Sequence, residues 1–229
     1  MNILDIIFPR RCLTCGRFGT YFCDRCVVKI RIIEQTEAIC PVCEQLAFRG
    51  MTHPRCQTKY SLDGLTSIFH YDGIIREAVK TLKYRLVTDL AREFISLIPT
   101  SFPKLYPLNS KLSVLIPIPL HPSRFRSRGF NQAEVLGRFF SNRLNVPMQT
   151  DILRRVKATA PQVEMKDRGK RINNMNKVFA VNNSTVQQCN NKTMYLFDDV
   201  FTTGATMRAA GETLKRAGAT FVWAVTMAR

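Results

Sequence analysis

The sequence predicts an α/β fold, a parallel sheet flanked by helices, behind a small metal-binding head. Three observations carry this. Seven of the eight cysteines lie before residue 57, six in pairs separated by two residues and the seventh spaced likewise from His53. Beyond them, apolar runs of strand length alternate with stretches of helical periodicity, which argues for a parallel sheet. One of those strands ends in two aspartates and a Thr-Gly loop leading straight into a helix, "YLFDDVFTTGATM" (195–207).

At 229 residues the chain can bury a real core without disulfides. The expected division is a head over 1–60 and a body over 61–229. Hydrophobic residues make up 45% and charged residues 22%, the composition of a soluble globular protein. No apolar run approaches the roughly 18 residues that span a bilayer. The start, "MNILDIIFPRRC", has no basic n-region, and Asp5 interrupts its apolar stretch. A secretory leader is therefore not expected, and a cytoplasmic location with reduced cysteines is.

The head reads "CLTC" (12–15), "CDRC" (23–26), "CPVC" (40–43) and "HPRC" (53–56). A knuckle with two intervening residues presents two soft ligands to one ion, and two knuckles close a tetrahedral structural zinc site. Cys12, Cys15, Cys23, Cys26, Cys40, Cys43, His53 and Cys56 thus supply ligands for two structural zinc ions. Sequential pairing is expected, though a cross-braced arrangement uses the same residues. One zinc with spare thiols is the main alternative. Disulfides would need an oxidising compartment, and redox CxxC motifs rarely come four in a row. Cys189, alone in a polar stretch, reads as a bystander.

In the body, Ile75, Val79 and Leu82 fall at helical spacing, as do Leu90, Phe94 and Ile98. A loop rich in Pro, Ser and Asn covers 99–111, and "KLSVLIPIP" is a buried strand. "NQAEVLGRFFSNRL" is a helix capped by Asn131, with Glu134 at its third position. Residues 154–177 are basic and irregular. "TMYLF" is a strand, Gly204 to Ala217 a helix ending at Gly218, and "TFVWAVTMA" the last strand.

Charge is uneven. The net charge is +17, and 13 of the 34 Lys and Arg fall in 121–180 against four acids there. Such a concentration attracts phosphates, of a small molecule or of nucleic acid. A solvated basic surface is the alternative.

Against that background the acids of 195–207 stand out. In an open α/β sheet, ligands bind at the carboxyl ends of strands beside helix N-termini. Thr202, Thr203, Gly204, Ala205 and Thr206 can surround a phosphate with backbone N–H groups and hydroxyls. Asp198 and Asp199 can accept hydrogen bonds from neighbouring ribose hydroxyls, or hold water around magnesium. No Gly-Lys-Ser/Thr follows, so this is not a Walker loop.

The stretch resembles the phosphoribosyl pyrophosphate (PRPP) motif of type I phosphoribosyltransferases. A narrower resemblance spans nearly the whole chain. "PIPLHPSRFRSRGFNQAEVL" (117–136), "TLKYR" (81–85), "APQ" (160–162), "RINNMNKVF" (171–179) and the ending "LKRAGATFVWAVTMAR" resemble the ComF family. That family pairs a double zinc ribbon with a type I phosphoribosyltransferase-like domain and is associated with competence. His53 stands where the family usually has Cys. The resemblance implies that Asp198 and Asp199 bind the ribose hydroxyls of PRPP or a nucleotide, held with Mg2+, and that 202–206 bind its 5-phosphate. It implies pyrophosphate or DNA contacts for Arg124, Arg126, Arg128, Asn131, Gln132 and Arg171. Three further residues have two readings each: Phe130 contacts a base or staples the next helix; His121 is an acid or base or a surface residue; Lys83 reaches a phosphate or faces solvent.

Two functions stay open. One is a binding module in DNA uptake, holding single-stranded DNA and passing it to helicase or recombination partners. The other is an active phosphoribosyltransferase with an unknown acceptor. Glutamine-dependent amidophosphoribosyltransferases share the acidic loop but use an N-terminal cysteine. With Met-Asn at the start and Cys12 in a knuckle, that class is not expected.

Overall fold

The structure is a computed structural model that describes residues 9–84, 88–102, 113–157, 178–187 and 192–229. The helices, in chain order, are α1 (Asp24–Val27), α2 (Gly73–Tyr84), α3 (Thr88–Ser96), α4 (Pro122–Arg128), α5 (Gln132–Leu144), α6 (Asn183–Gln187) and α7 (Ala205–Arg216). The strands are β1 (Gly64–Phe69), β2 (Ser113–Pro117), β3 (Leu153–Arg155), β4 (Phe179–Val181), β5 (Thr193–Val200) and β6 (Phe221–Ala228). β1, β6, β5 and β2 form the main sheet in that order, every pair parallel. β3 and β4 form a separate antiparallel pair.

The strands are apolar on both faces because both faces are covered. On β5, Tyr195 and Phe197 join one cluster and Met194 and Leu196 the other. The first cluster collects Ile75, Val79 and Leu82 of α2, Leu90 and Phe94 of α3, and Leu136 and Phe140 of α5. The second collects Met207, Ala210 and Leu214 of α7 with Leu153 and Phe179 of the small pair. The expected helical spacing therefore marks the core faces of α2 and α3.

The head sits against this body. Cys12, Phe22, Cys23 and Cys26 belong to the first apolar cluster, where Phe22 stacks on Phe94 with centroids 5.9 Å apart. Glu93 of α3 accepts hydrogen bonds from Arg10, Thr20 Oγ1 and the Tyr21 N–H. The head also lines the outer edge of β1. The Ile33 N–H donates to Ile68 O, the His70 N–H to Arg31 O, and the Thr52 N–H to Asp63 O. At the other edge, the Leu115 N–H donates to Pro147 O and Leu115 O accepts in turn from the Gln149 N–H. Both edges of the sheet thus have partners, which removes a template for aggregation.

Four features depart from the sequence reading. β1 lies between head and α2, where no strand is expected. β5 does not stop at Phe197 but carries both aspartates to Val200, held by pairing with β6 at Asp198↔Thr226 and Val200↔Ala228. Leu153–Arg155, at the start of the stretch read as irregular, is the strand β3. And Arg124, Arg126 and Arg128, in a segment where no helix is expected, sit on the helix α4. His121 caps it by accepting from the Ser123 N–H at 3.2 Å, Pro122 fills its first turn, and Gly129 ends it at φ 77°. A proline inside the start and a glycine past the end are helix signals in themselves.

Candidate functional site

The head places its ligand atoms in two sequential groups. Those of Cys12, Cys15, Cys23 and Cys26 lie within 4.8 Å of one another, and so do those of Cys40, Cys43, His53 and Cys56. Two close pairs are Cys15 Sγ to Cys23 Sγ at 3.5 Å and Cys43 Sγ to His53 Nδ1 at 3.3 Å. Tetrahedral zinc with bonds of about 2.3 Å to sulfur and about 2.0 Å to nitrogen needs edges of roughly 3.5–3.8 Å. The donor sets therefore fit zinc in size and softness. His53 Nε2 is 3.0 Å from Leu46 O, and donating there leaves the Nδ1 lone pair for the metal. Four crowded thiols cannot all ionise alike. Burial opposes ionisation of Cys12, but the backbone N–H groups of Cys15, Cys23 and Thr14 outweigh it and bring the thiol down to about 6. Burial and the neighbouring thiols push Cys26 up to about 12. A divalent cation resolves that conflict by stabilising every thiolate at once.

The second site lies at the carboxyl end of β5. Asp199 is buried, and its Oδ2 accepts no hydrogen bond among the described residues. The Lys83 ammonium of α2 stands 3.4 Å from that oxygen. The ion-pair distance is met without hydrogen-bond geometry, so Asp199 has charge compensation and an unfilled acceptor. Asp198 Oδ1 accepts from the Asp199 N–H at 2.9 Å. Burial first, then the charge of Asp199, push Asp198 up to about 8, against the pull of that N–H, Lys83 and Arg155. Arg155 of β3 is buried, its guanidinium 5.5 Å from the Phe179 ring centroid. Its pKa is lowered by burial and by Arg124 of α4, and supported by Asp198. Elements distant in sequence thus bring an acid pair and three cations within electrostatic reach.

The loop beyond the acids turns at Gly204, the residue before α7, with φ 64°. A Cβ there would stand 2.4 Å from the Phe201 ring and 2.5 Å from the Arg208 guanidinium. Glycine therefore permits both the turn and the close packing. Having no side chain, it supplies no cap of its own to the first N–H groups of α7. Thr202 is exposed, and Thr203, Ala205 and Thr206 are half-buried.

The other candidates are distributed differently. Asn131 is buried and both ends of its amide are engaged: Nδ2 donates to Ile118 O and Oδ1 accepts from the Ala133 N–H. Gln132 is buried, with Oε1 accepting no hydrogen bond among the described residues. Arg126 is exposed and, with the exposed Phe125, lines a slot of about 310 Å³ with Pro119 and Glu134. Arg171 lies outside the described residues, as does Cys189. Sequence reasoning missed Arg155, one of two adjacent arginines in a basic run, because only the fold brings it to Asp198. Lys83 was noticed but could not be separated from a solvent-facing lysine.

Comparison with known proteins finds relatives over most of the chain. It is similar to competence protein ComFC of Bacillus subtilis (strain 168), with 27% identity over 185 residues, 81% of this chain and 69% of that protein. It is similar to competence protein F of Haemophilus influenzae, with 33% identity over 106 residues, 45% of this chain and 44% of that protein. The DNA utilization protein YhgH of Salmonella typhimurium is 27% identical over 206 residues, 86% of each chain. No family model matches the chain. Among solved structures, the allosteric regulatory enzyme of purine biosynthesis is similar at a TM-score of 0.38 and 15% identity, over 64% of this chain and 29% of that one. A likeness that low carries no argument, and the fold stands on its own strand order.

Proposed function

We infer, for a chain that belongs to the ComF family, a role in DNA uptake with two parts: a phosphoribosyl ligand bound at the end of β5, and single-stranded DNA held on the basic surface. The observation that carries the first part is the convergence at one strand end. Asp198 and Asp199 precede a glycine-hinged loop and a helix start, with Lys83 beside them and Arg155 and Arg124 in reach. The loop and helix start suit the 5-phosphate of PRPP or a nucleotide. The unfilled acceptor of Asp199 suits a ribose hydroxyl. Magnesium carried in with PRPP would supply positive charge where two carboxylates repel. In this reading the head, 1–60, holds two structural zinc ions and the body, 61–229, holds the ligand. The protein works in the cytoplasm, where helicase or recombination proteins receive the strand.

The test is calorimetry with magnesium PRPP. Replacing both Asp198 and Asp199 by Asn is expected to abolish binding while the melting transition persists. Unchanged affinity in a folded double variant would refute the site.

A second reading, an active phosphoribosyltransferase, is favoured by the same cations. Lys83, Arg155 and Arg124 gather positive charge near the acid pair, of the kind that would stabilise a departing pyrophosphate. Release of pyrophosphate from PRPP with any acceptor base would establish it.

A further inference from the structure

The second metal cluster and the loop 201–206 meet at one side chain. Arg208 lies in the first turn of α7 and donates its backbone N–H to Gly204 O at 2.9 Å. Its guanidinium reaches in two directions. Nη1 donates to Pro41 O at 2.9 Å, and Nη2 donates to Thr203 O at 2.7 Å. Glu44 Oε1 stands 3.7 Å from Nη1. Pro41 lies between the ligands Cys40 and Cys43. Glu44 closes the same turn with φ 62°, returning its N–H to Cys40 O at 2.9 Å. One planar, rigid fork therefore joins the turn that carries two metal ligands to a carbonyl inside the candidate phosphate loop. The packing leaves little slack, since a single methyl at Gly204 would meet both Phe201 and Arg208.

We propose that Arg208 is a positioning residue that couples the second metal cluster to the phosphate loop, so that zinc at Cys40, Cys43, His53 and Cys56 holds the loop in its ligand-binding shape. The proposal rests on the phosphoribosyl reading of the loop and on zinc as the metal. The metal fixes the turn 40–44, the turn fixes the carbonyl of Pro41, and the guanidinium carries that position to Thr203. Coupling between two sites is reciprocal in free energy. Ligand in the loop therefore retains zinc in the second cluster. The first cluster packs on α3 at the opposite face of the sheet and does not share the effect.

The experiment uses the full zinc-loaded chain, with ribose 5-phosphate as probe and a chromophoric chelator reporting zinc release. Direct binding of ribose 5-phosphate is measured first by calorimetry. Saturating probe is expected to slow one of two release phases by roughly fivefold or more and leave the other unchanged. Arg208→Ala is expected to remove that dependence. Arg208→Lys is expected to remove most of it, because an ammonium cannot span both carbonyls as a fork does. Failure of the probe to bind overturns the phosphoribosyl reading and the proposal together. Binding without any change in zinc release overturns the coupling alone, and needs only the unmutated protein. Coupling that survives in Arg208→Ala overturns the role of Arg208.

Discussion

Asp198 is the residue whose cost is clearest. Its carboxyl is raised from 3.8 to about 8 by burial and by Asp199. A carboxyl raised in the fold binds its proton more tightly folded than unfolded. Stability from this group is therefore full below about pH 4 and is lost as pH rises through about 8. Asp198→Asn is expected to flatten the fall in melting temperature between pH 5 and pH 9 and to stabilise the protein at the upper end, by ~1–2 kcal/mol. An unchanged pH slope in the variant would contradict this. A group that weakens the fold is a sign of selection for binding rather than for stability. Gly204 makes the opposite case. With φ 64° and the buried Phe201 beside it, Gly204→Ala is expected to cost ~2 kcal/mol in denaturant unfolding and to weaken phosphoribosyl binding. A variant of full stability would show the loop to be softer than its packing suggests.

At the scale of elements, α4 separates arginines that look alike in sequence. Residues four apart share a helix face, so Arg124 and Arg128 lie together and Arg126 lies away from them. Arg124 faces the charge of Arg155, while Arg126 is exposed beside Phe125. Arg124→Ala is expected to weaken PRPP binding at least tenfold with little change for DNA. Arg126→Ala is expected to weaken single-stranded DNA at every sequence tested, and to flatten its logarithmic salt slope by about 0.7. Equal effects of the two variants on both ligands would mean that α4 presents a single surface. The strand β5 shows a related effect. Its pairing with β6 through Val200 holds both aspartates in extended backbone, so their side chains alternate. Asp199 turns inward toward Lys83 as a result.

At the scale of the whole molecule, the head is built into the body rather than tethered to it. One cluster is packed through Phe22 against Phe94, and the other is tied through Arg208 to the loop. The two clusters should therefore fail differently. Elemental analysis is expected to find two zinc ions per chain, and one or none would refute the double-ribbon reading. Cys12→Ser is expected to lower stability and solubility, since bound zinc would supply much of the head's folding energy, while phosphoribosyl affinity stays near that of the parent. Cys40→Ser is expected to lower both. Equal loss of affinity in the two variants would show that head damage acts globally.

Much of this was legible in the sequence alone, for a chemical reason in each case. Ligand chemistry is local, so four knuckles two residues apart announce a metal before any fold is known. Helical spacing at Ile75, Val79 and Leu82 marks a buried face because periodicity and burial are the same constraint on one helix. The acids and Thr-Gly turn of 198–206 are contiguous, so their order alone suggests a phosphate loop. Other features were decided only by tertiary structure. Arg155 reaches Asp198 because β3, remote in sequence, pairs with β4 and packs on the second apolar cluster. Lys83 was undecidable on an amphipathic helix until the rotation of α2 pointed it at Asp199. The span of Arg208 from Pro41 to Thr203 joins residues 167 apart in the chain, a contact that no local pattern encodes. Chain order determines which groups are available; burial and packing decide which of them meet, because charges separated in sequence are compelled to share a site only when the core leaves them nowhere else to lie.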